Sequence, residues 1–360
     1  MDLLNYNINT SLVCFLTSTF FSFLLTPFLI KIGKLYNLLD YPSERKRHKK
    51  EVVNIGGISL FFGIFSVIIF SYTFMKLNII EKFDDIYMII PLLFFANIII
   101  FATGFYDDKN SLSPTIRLII QLSTASLIWI IGLRIELLDF TFLFKDADFI
   151  NLPTFLSYLI TVIWIAGIIN GINWLDGMDG LAAGVSFLIS TGMMIIGFYI
   201  NNNLAVIYSA SISGASFGFL FYNFPPARII MGDSGSNLLG FNLAITSIIL
   251  LLDNKSTGIL PFSFVIFLVP IIDMLKVIFL RIRKGYSPFH ADRNHLHFQL
   301  LRKRFSEKNI ILLIYLLVIL SLSISLIKFD LRLSIPLLIS SISGIVYILV
   351  CNFLKRNFIE

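Results

Sequence analysis

Apolar residues in this chain gather in unbroken runs of about twenty, separated by short polar stretches. A helix needs about that length to cross a ~30 Å hydrocarbon layer. The pattern predicts about eleven such helices, centred near residues 20, 66, 97, 125, 163, 190, 213, 244, 268, 318 and 343. The fold class is therefore all-α: a polytopic membrane protein, read as one integral domain over 1–360, with no internal repeat, soluble domain or low-complexity tract. The first run, roughly Leu12 to Ile30, lacks a basic segment before it and a small-residue cleavage site after it, so it reads as a retained span and not as a signal peptide. Segment 135–153, longer and acidic, is expected to carry a short hairpin or a surface helix.

Composition sharpens this picture. With 57% hydrophobic residues, 14% charged and 37 Phe, the chain carries more apolar surface than one soluble core could hide. Cys14 and Cys351 both fall inside predicted spans, which excludes a disulfide framework and a thiolate metal cluster. A net charge of +6 would suit nucleic acid in a soluble protein, but in a membrane chain the placement of Lys and Arg reports orientation first. Assigning alternate loops to opposite sides puts most of the 28 basic residues on loops 31–54, 107–117, 173–180, 224–237 and 281–308 and on the C-terminal tail. That side is read as cytoplasmic, with the N-terminus outside, and no nucleic acid is implied.

Every unusual polar constellation falls on the same side. "DDKNSLSP" places Asp107 and Asp108 at the end of an apolar helix, where two adjacent carboxylates call for a wet cavity, a metal or a basic partner. "NGINWLDGMDG" adds Asp176 and Asp179, and "NFPPARIIMGDSGS" adds Asp233, each just before or inside a helix start able to bind anions through free N–H groups. An Asp at a helix start is often only an N-cap, and positive-inside bias accounts for most of the basic residues. Together, however, the acids and Asn side chains suit Mg²⁺, which takes oxygen ligands and keeps waters, better than zinc. His295 and His297, two apart with no thiolate near, make a poor zinc site. Arg293 in "ADRNHLH" has the fork geometry that suits phosphate oxygens. Asp273 and Lys276, one turn apart in a span, are expected to pair with each other. An activated phosphate compound is the natural ligand, and a lipid whose head group reaches the interface is the natural second reactant.

At these five loops the sequence resembles the polyprenyl-phosphate N-acetylhexosamine-1-phosphate transferases, and more distantly the phospho-N-acetylmuramoyl-pentapeptide transferases. The resemblance rests on "D-x-P-x-x-R-K-x-H" at Asp40 to His48, "DD" with a later "L-x-P" at Leu112 to Pro114, and "N-x-x-N-x-x-D-G-x-D-G" from Asn170 to Gly180. "N-F-P-P-A" leading into "M-G-D-S-G-S", and "D-R-x-H-x-H" at Asp292 to His297, complete it. It implies transfer of a sugar 1-phosphate from a UDP-N-acetylhexosamine, GlcNAc foremost, to an undecaprenyl-type phosphate. UMP is released, and the cofactor is Mg²⁺ or alternatively Mn²⁺. The resemblance also implies a multi-pass protein of the bacterial inner membrane.

By the same resemblance Asp107 or Asp108 activates the lipid phosphate, Asn173 and Asp233 hold the metal, Asp179 recognises uracil and Asp176 lines the cleft. Arg293, His295 and His297 hold the diphosphate or the sugar, Lys46 and His48 close the site, and Asn170 belongs to the substrate-binding set. Glu51, Val53 and Asn54 depart from the Pro, Pro and Arg of many relatives, and Ile230 stands where a Phe often precedes "MGD". The reading from another class is an ion-coupled transporter, although the acids lie at helix mouths on one side and not near the bilayer midplane. Which sugar, which glycan pathway and which oligomeric state, a homodimer included, are left open by the sequence.

Overall fold

Inside hydrocarbon a backbone can satisfy its N–H and C=O groups only within its own segment, so the long apolar runs become long helices. The computed structural model describes residues 2–41, 51–76, 86–138, 150–252, 265–290, 292–327 and 331–358. Among these residues the helices are α1 (Asp2–Leu35), α2 (Gly57–Lys76), α3 (Ile86–Asn110), α4 (Pro114–Ile130), α5 (Thr154–Leu175) and α6 (Leu181–Tyr199). They continue with α7 (Asn203–Asn223), α8 (Gly232–Leu252), α9 (Leu268–Arg283), α10 (Leu296–Arg302), α11 (Glu307–Ile327) and α12 (Ser334–Phe358). Seven of them, α1, α5, α6, α7, α8, α11 and α12, are long and apolar enough to cross a membrane. Every predicted centre falls on a helix, although residue 268 is the first residue of α9 and not its middle. The seven-residue α10 is an addition within the segment read as loop 281–308.

Among the described residues the strands form two short antiparallel pairs: β1 (Leu39–Asp40) with β2 (Val52–Val53), and β3 (Leu137–Leu138) with β4 (Ile150–Asn151). The second pair lies in segment 135–153, whose residues 139–149 are outside the described residues.

Burial identifies the centre. In its apolar stretch α8 is 94% buried, against 17% for α12, so α8 is the axis and α12 lies at the periphery. Helices α2, α3, α5, α6 and α7 surround α8. Beside it, α1 packs closely along α7 because Gly214 and Gly218 present bare backbone: a Cβ at either would collide with the carbonyl of Phe15 or Thr19. This is the small-residue spacing that lets membrane helices approach. Ser18 of α1 donates its hydroxyl to the carbonyls of Gly63 and Ser211 at 2.7 and 2.6 Å, joining α1 to α2 and α7.

Deeper in the bundle, α3, α7 and α8 share a neutral polar triad. Asn242 Nδ2 donates to Asn97 Oδ1 at 2.7 Å, Tyr208 donates to Asn242 Oδ1, and Asn97 Nδ2 reaches the Tyr208 oxygen at 3.4 Å. Both amides also bond the carbonyl four residues earlier, at 2.8 and 2.7 Å. The three residues are buried.

Candidate active site

The start of α8 is where the polar loops meet. The backbone after β2 runs alongside residues 229–231: Ile230 N donates to Val53 O, Gly56 N to Ile230 O and Gly57 N to Met231 O, at 2.9, 3.0 and 3.0 Å. Gly232 follows with φ +67, a left-handed conformation that suits glycine, and a Cβ there would lie 2.6 Å from both Asp108 oxygens. Gly104 lets α3 come equally close, since a Cβ at that position would lie 2.5 Å from Asp233 O. The chain can therefore bring Asp108, at the end of α3, directly onto the first turn of α8.

Asp108 Oδ1 accepts from Asp233 N at 2.7 Å and Oδ2 from Ser234 N at 3.1 Å, while Asn54 Nδ2 approaches Oδ1 at 3.5 Å. A carboxylate from another helix thus caps α8 and complements its dipole. This corrects one expectation: the α8 start is not an open anion cradle, because Asp108 already fills it. The α6 start is engaged in a similar way, with Gly180 N donating to Asn223 Oδ1 at 3.0 Å. Asp179, expected to read uracil, uses Oδ2 to accept from Ala227 N at 2.9 Å and so ties its loop to 224–231.

Asp107 is the more buried of the pair. Its Oδ1 accepts from Leu112 N at 2.5 Å and its Oδ2 from Arg117 Nη1 at 2.7 Å. The same guanidinium lies 3.6 Å from Asp233 Oδ2, so Arg117 bridges α3 and α8. Ser113 caps α4 with Pro114 at its first position, which folds α4 back and carries Arg117 to Asp107. Asn173 Nδ2 donates to Asp233 Oδ1 at 2.5 Å and to Ser236 Oγ at 2.9 Å, leaving Asn173 Oδ1 for other work. The backbone N–H of Asp176 donates to Asn173 O at 3.1 Å, but its carboxylate has no hydrogen-bond partner among the described residues. Enclosure by protein, then the charges of Asp233, Asp108 and Asp179, hold its carboxyl well above the usual range.

A cavity of about 210 Å³ opens beside this cluster, lined in part by Arg117, Asn170, Asn173, Trp174, Arg281 and His295. Arg281 lies 4.8 Å over the Trp174 ring and 3.2 Å from Asp292, and it donates to Pro288 O at 2.5 Å. Asp292 is held below its ordinary value: burial would raise it, but hydrogen bonds from Arg281 and Asn294 outweigh that. His295 Nδ1 meets Asp273 Oδ2 at 2.8 Å, and its ring stands edge-on to Trp174 at 5.5 Å. Asn170 donates to Gln121 Oε1 at 2.7 Å.

Of the residues expected from the sequence, Asp107, Asp108, Asn173, Asp176 and Asp233 converge, with Asn170 and His295 on the adjoining cavity wall. His297 is fully buried against Gly177 and Phe298, stacked on His295, and does not line the cavity. Arg293 is exposed, 6.0 Å from the Phe298 ring, and Arg281 takes the cavity wall instead. Lys46 and His48 lie outside the described residues. Of the departures, Val53 and Ile230 serve through their backbones and Asn54 touches Asp108. Sequence reasoning missed Arg117, Gln121 and Trp174, and it left Arg281 among the basic residues of loop 281–308 that positive-inside bias mostly accounts for. The Ser113-Pro114 helix start, which turns the chain back six residues after Asp107 and sets Arg117 ten residues after it, was the available signal for Arg117.

Comparison with known proteins places these features in context. The sequence profile described as Glycosyl transferase family 4 matches residues 90–251. The chain is 31% identical over 307 residues to a probable undecaprenyl-phosphate N-acetylglucosaminyl 1-phosphate transferase of Bacillus subtilis (strain 168), covering 85% of this chain and 81% of the relative. It is 30% identical over 307 residues to the decaprenyl-phosphate N-acetylglucosaminephosphotransferase of Mycobacterium leprae, covering 79% and 76%. It is also 29% identical over 318 residues to the undecaprenyl-phosphate alpha-N-acetylglucosaminyl 1-phosphate transferase of Escherichia coli K12, covering 86% and 80%.

Proposed function

Since the chain belongs to glycosyl transferase family 4, among the polyprenyl-phosphate N-acetylglucosaminyl 1-phosphate transferases, we propose that it moves GlcNAc 1-phosphate from UDP-GlcNAc to an undecaprenyl-type phosphate. The products are the polyprenyl diphosphate sugar and UMP. The observation that carries this reading is the meeting of Asp233, Asn173 and Asp176 with Arg117 at the mouth of a cavity walled by Arg281, Trp174 and His295. The transporter reading finds no support, because the relatives are named as transferases.

The acid cluster fits a divalent ion by its donors, which are all oxygen, and by the mutual repulsion that raises Asp176. Among the described residues no three His, Cys, Asp or Glu side chains form a ready ligand set. That suits Mg²⁺, which takes one or two protein carboxylates and completes its shell with water and substrate phosphate. Asp233 and Asn173 Oδ1 would hold it, beside Asp176. When bound, the ion neutralises diphosphate charge as it shifts to the leaving group.

In the reaction an oxygen of the lipid phosphate attacks the β-phosphorus of the UDP-sugar. A P–O bond forms there, and the bond from that phosphorus to the bridging oxygen breaks, with its electron pair leaving on UMP. One diphosphate replaces another, so the barrier is mostly repulsion between anions, which Arg117 and Arg281 offset electrostatically. A phosphate monoester loses its second proton near pH ~6, so at neutral pH a weak base suffices. A carboxylate of the Asp107–Asp108 pair would be that base, Asp107 being the one paired with Arg117. Direct attack is favoured over an aspartyl-phosphate intermediate because all four oxygens of Asp107 and Asp108 already accept hydrogen bonds, which lowers their nucleophilicity. The site faces the cytoplasm of a bacterial inner membrane, where the nucleotide sugar is made.

The test uses detergent-solubilised protein, UDP-GlcNAc labelled in the sugar, and polyprenyl phosphate. Label should enter organic-extractable lipid in step with UMP release, and chelation of divalent ions should stop both. UMP release without labelled lipid would overturn the reading. Near-normal turnover in Asp107→Asn would remove that residue from the chemical step.

A further inference from the structure

Away from the acid cluster, α9 and α11 enclose a second groove of about 220 Å³. Its walls are apolar: Leu268, Val269 and Ile272 from α9, and Leu317, Leu320 and Ile324 from α11. Asp273 and Lys276 also border it, and the expected pair between them does not form. Asp273 turns inward, accepting from Leu296 N at 2.7 Å and meeting His295 Nδ1 at 2.8 Å, and it is only 4% exposed. Lys276 turns outward onto the same exposed face as Ile272, Leu275 and Phe279, which are 54%, 55% and 63% exposed. Its ammonium donates to the neutral Gln299 Oε1 at 2.7 Å, and no carboxylate among the described residues pairs with it.

A cation on a lipid-facing apolar surface is costly unless an anion meets it. Lys276 precedes the basic end of α9, at Arg281 and Arg283, by roughly 10 Å or less along the helix axis. A lysine stem there reaches the level of lipid phosphates by extending toward the interface. The groove beside it suits a hydrocarbon chain better than a sugar, because seven of its ten lining residues are aliphatic.

We propose that this groove holds one anionic phospholipid of the adjacent leaflet, its phosphodiester on Lys276 and an acyl chain between α9 and α11. The site is separate from that of the polyprenyl acceptor, whose phosphate must reach Arg117. It also communicates with the cavity. Gln299, the present partner of Lys276, donates through Nε2 to Asn294 O at 2.5 Å. Asn294 donates to Asp292 Oδ2 at 2.8 Å, and Asp292 accepts from Arg281, which lies over Trp174. A phosphate that draws Lys276 away from Gln299 therefore acts on the loop that positions Arg281.

The experiment uses full-length protein, delipidated and then exchanged into mixed micelles containing phosphatidylglycerol and phosphatidylcholine, with bound lipid counted by native mass spectrometry. One phosphatidylglycerol per chain should be retained in preference to phosphatidylcholine. Lys276→Gln should weaken that retention by about five-fold, and Lys276→Arg should restore it. Leu320→Trp, which fills the apolar part with the charge intact, should displace the lipid, so the test stands even where Lys276→Gln folds poorly. Equal retention of the two lipids, unchanged retention in both groove variants, or displacement of phosphatidylglycerol by polyprenyl phosphate would each overturn the proposal. Because the readout is lipid binding, its failure is distinguishable from failure of the transferase reading.

Discussion

Helices α3 and α8 carry two polar clusters, one near mid-height and one at their acid-bearing end, and the two differ in a way that separates structure from chemistry. Asn97 and Asn242 lie eleven and nine residues from Asp108 and Asp233, so the triad sits roughly 15 Å below the acids, near the middle of a ~30 Å hydrocarbon layer. There every amide and hydroxyl group is neutral and answered by a neighbour. At the acid-bearing end, the Asp176 carboxylate is left without a hydrogen bond among the described residues, and its charge is opposed by three other carboxylates. A polar group in a membrane protein marks chemistry when its electrostatics are left open, and marks architecture when they are closed.

Substitutions at the two levels should therefore fail differently. The largest effect is expected from Asp233→Asn, which keeps the α8 start but removes a charge: turnover should fall about 10²–10³-fold with little change in thermal stability, measured by UMP release and by a melting scan. A fall in melting temperature with turnover intact would merge the two classes. Gly232→Ala comes next, since it forces a side chain into the left-handed region and against Asp108. It should cost about 1–2 kcal/mol in strain and about ten-fold in turnover, because the α8 cap and the site share that contact.

Asn242→Leu probes the closed cluster. It leaves Asn97 and Tyr208 without their partner and should cost about 1–2 kcal/mol of stability, seen as a lower melting temperature, while kcat per folded molecule stays near normal. The smallest effect concerns Asp292, whose carboxyl is held low by Arg281 and Asn294. A depressed carboxylate contributes stability above its unfolded value and loses it as pH falls through the folded one. Faster hydrogen exchange in residues 285–295 should thus appear only below pH ~3.9, and exchange unchanged in acid would show that the clamp contributes nothing. The partial exposure of Asp292 keeps this contribution small.

The spans and the acid loops were readable in advance for two different reasons. Run length alone specifies a membrane helix, so α5 to α8 and α11 fell close to their expected centres. The Gly-Asp alternation marked the starts of α6 and α8, and these begin at Leu181 and Gly232. What the start of α8 would bind was not readable, because its amides are filled by Asp108 from α3, 125 residues earlier. Arg117 and Arg281 each looked like a boundary charge, and only the return of α4 against α3 and the placement of Arg281 over Trp174 give them another role. The Gly214 and Gly218 pair in α7 was not read from the sequence, and its partner α1 lies nearly 200 residues away and could not be named from one sequence.

Trp174 has a practical consequence. The chain contains three tryptophans, and the other two are tied to serine hydroxyls, Trp129 to Ser157 and Trp164 to Ser247, at 3.1 and 2.9 Å. Only Trp174 lines the cavity, between a guanidinium and an imidazole. Its emission is therefore a built-in optical gauge of occupancy: a ligand that enters the cavity can be followed in the unlabelled protein, in real time, before any product is made.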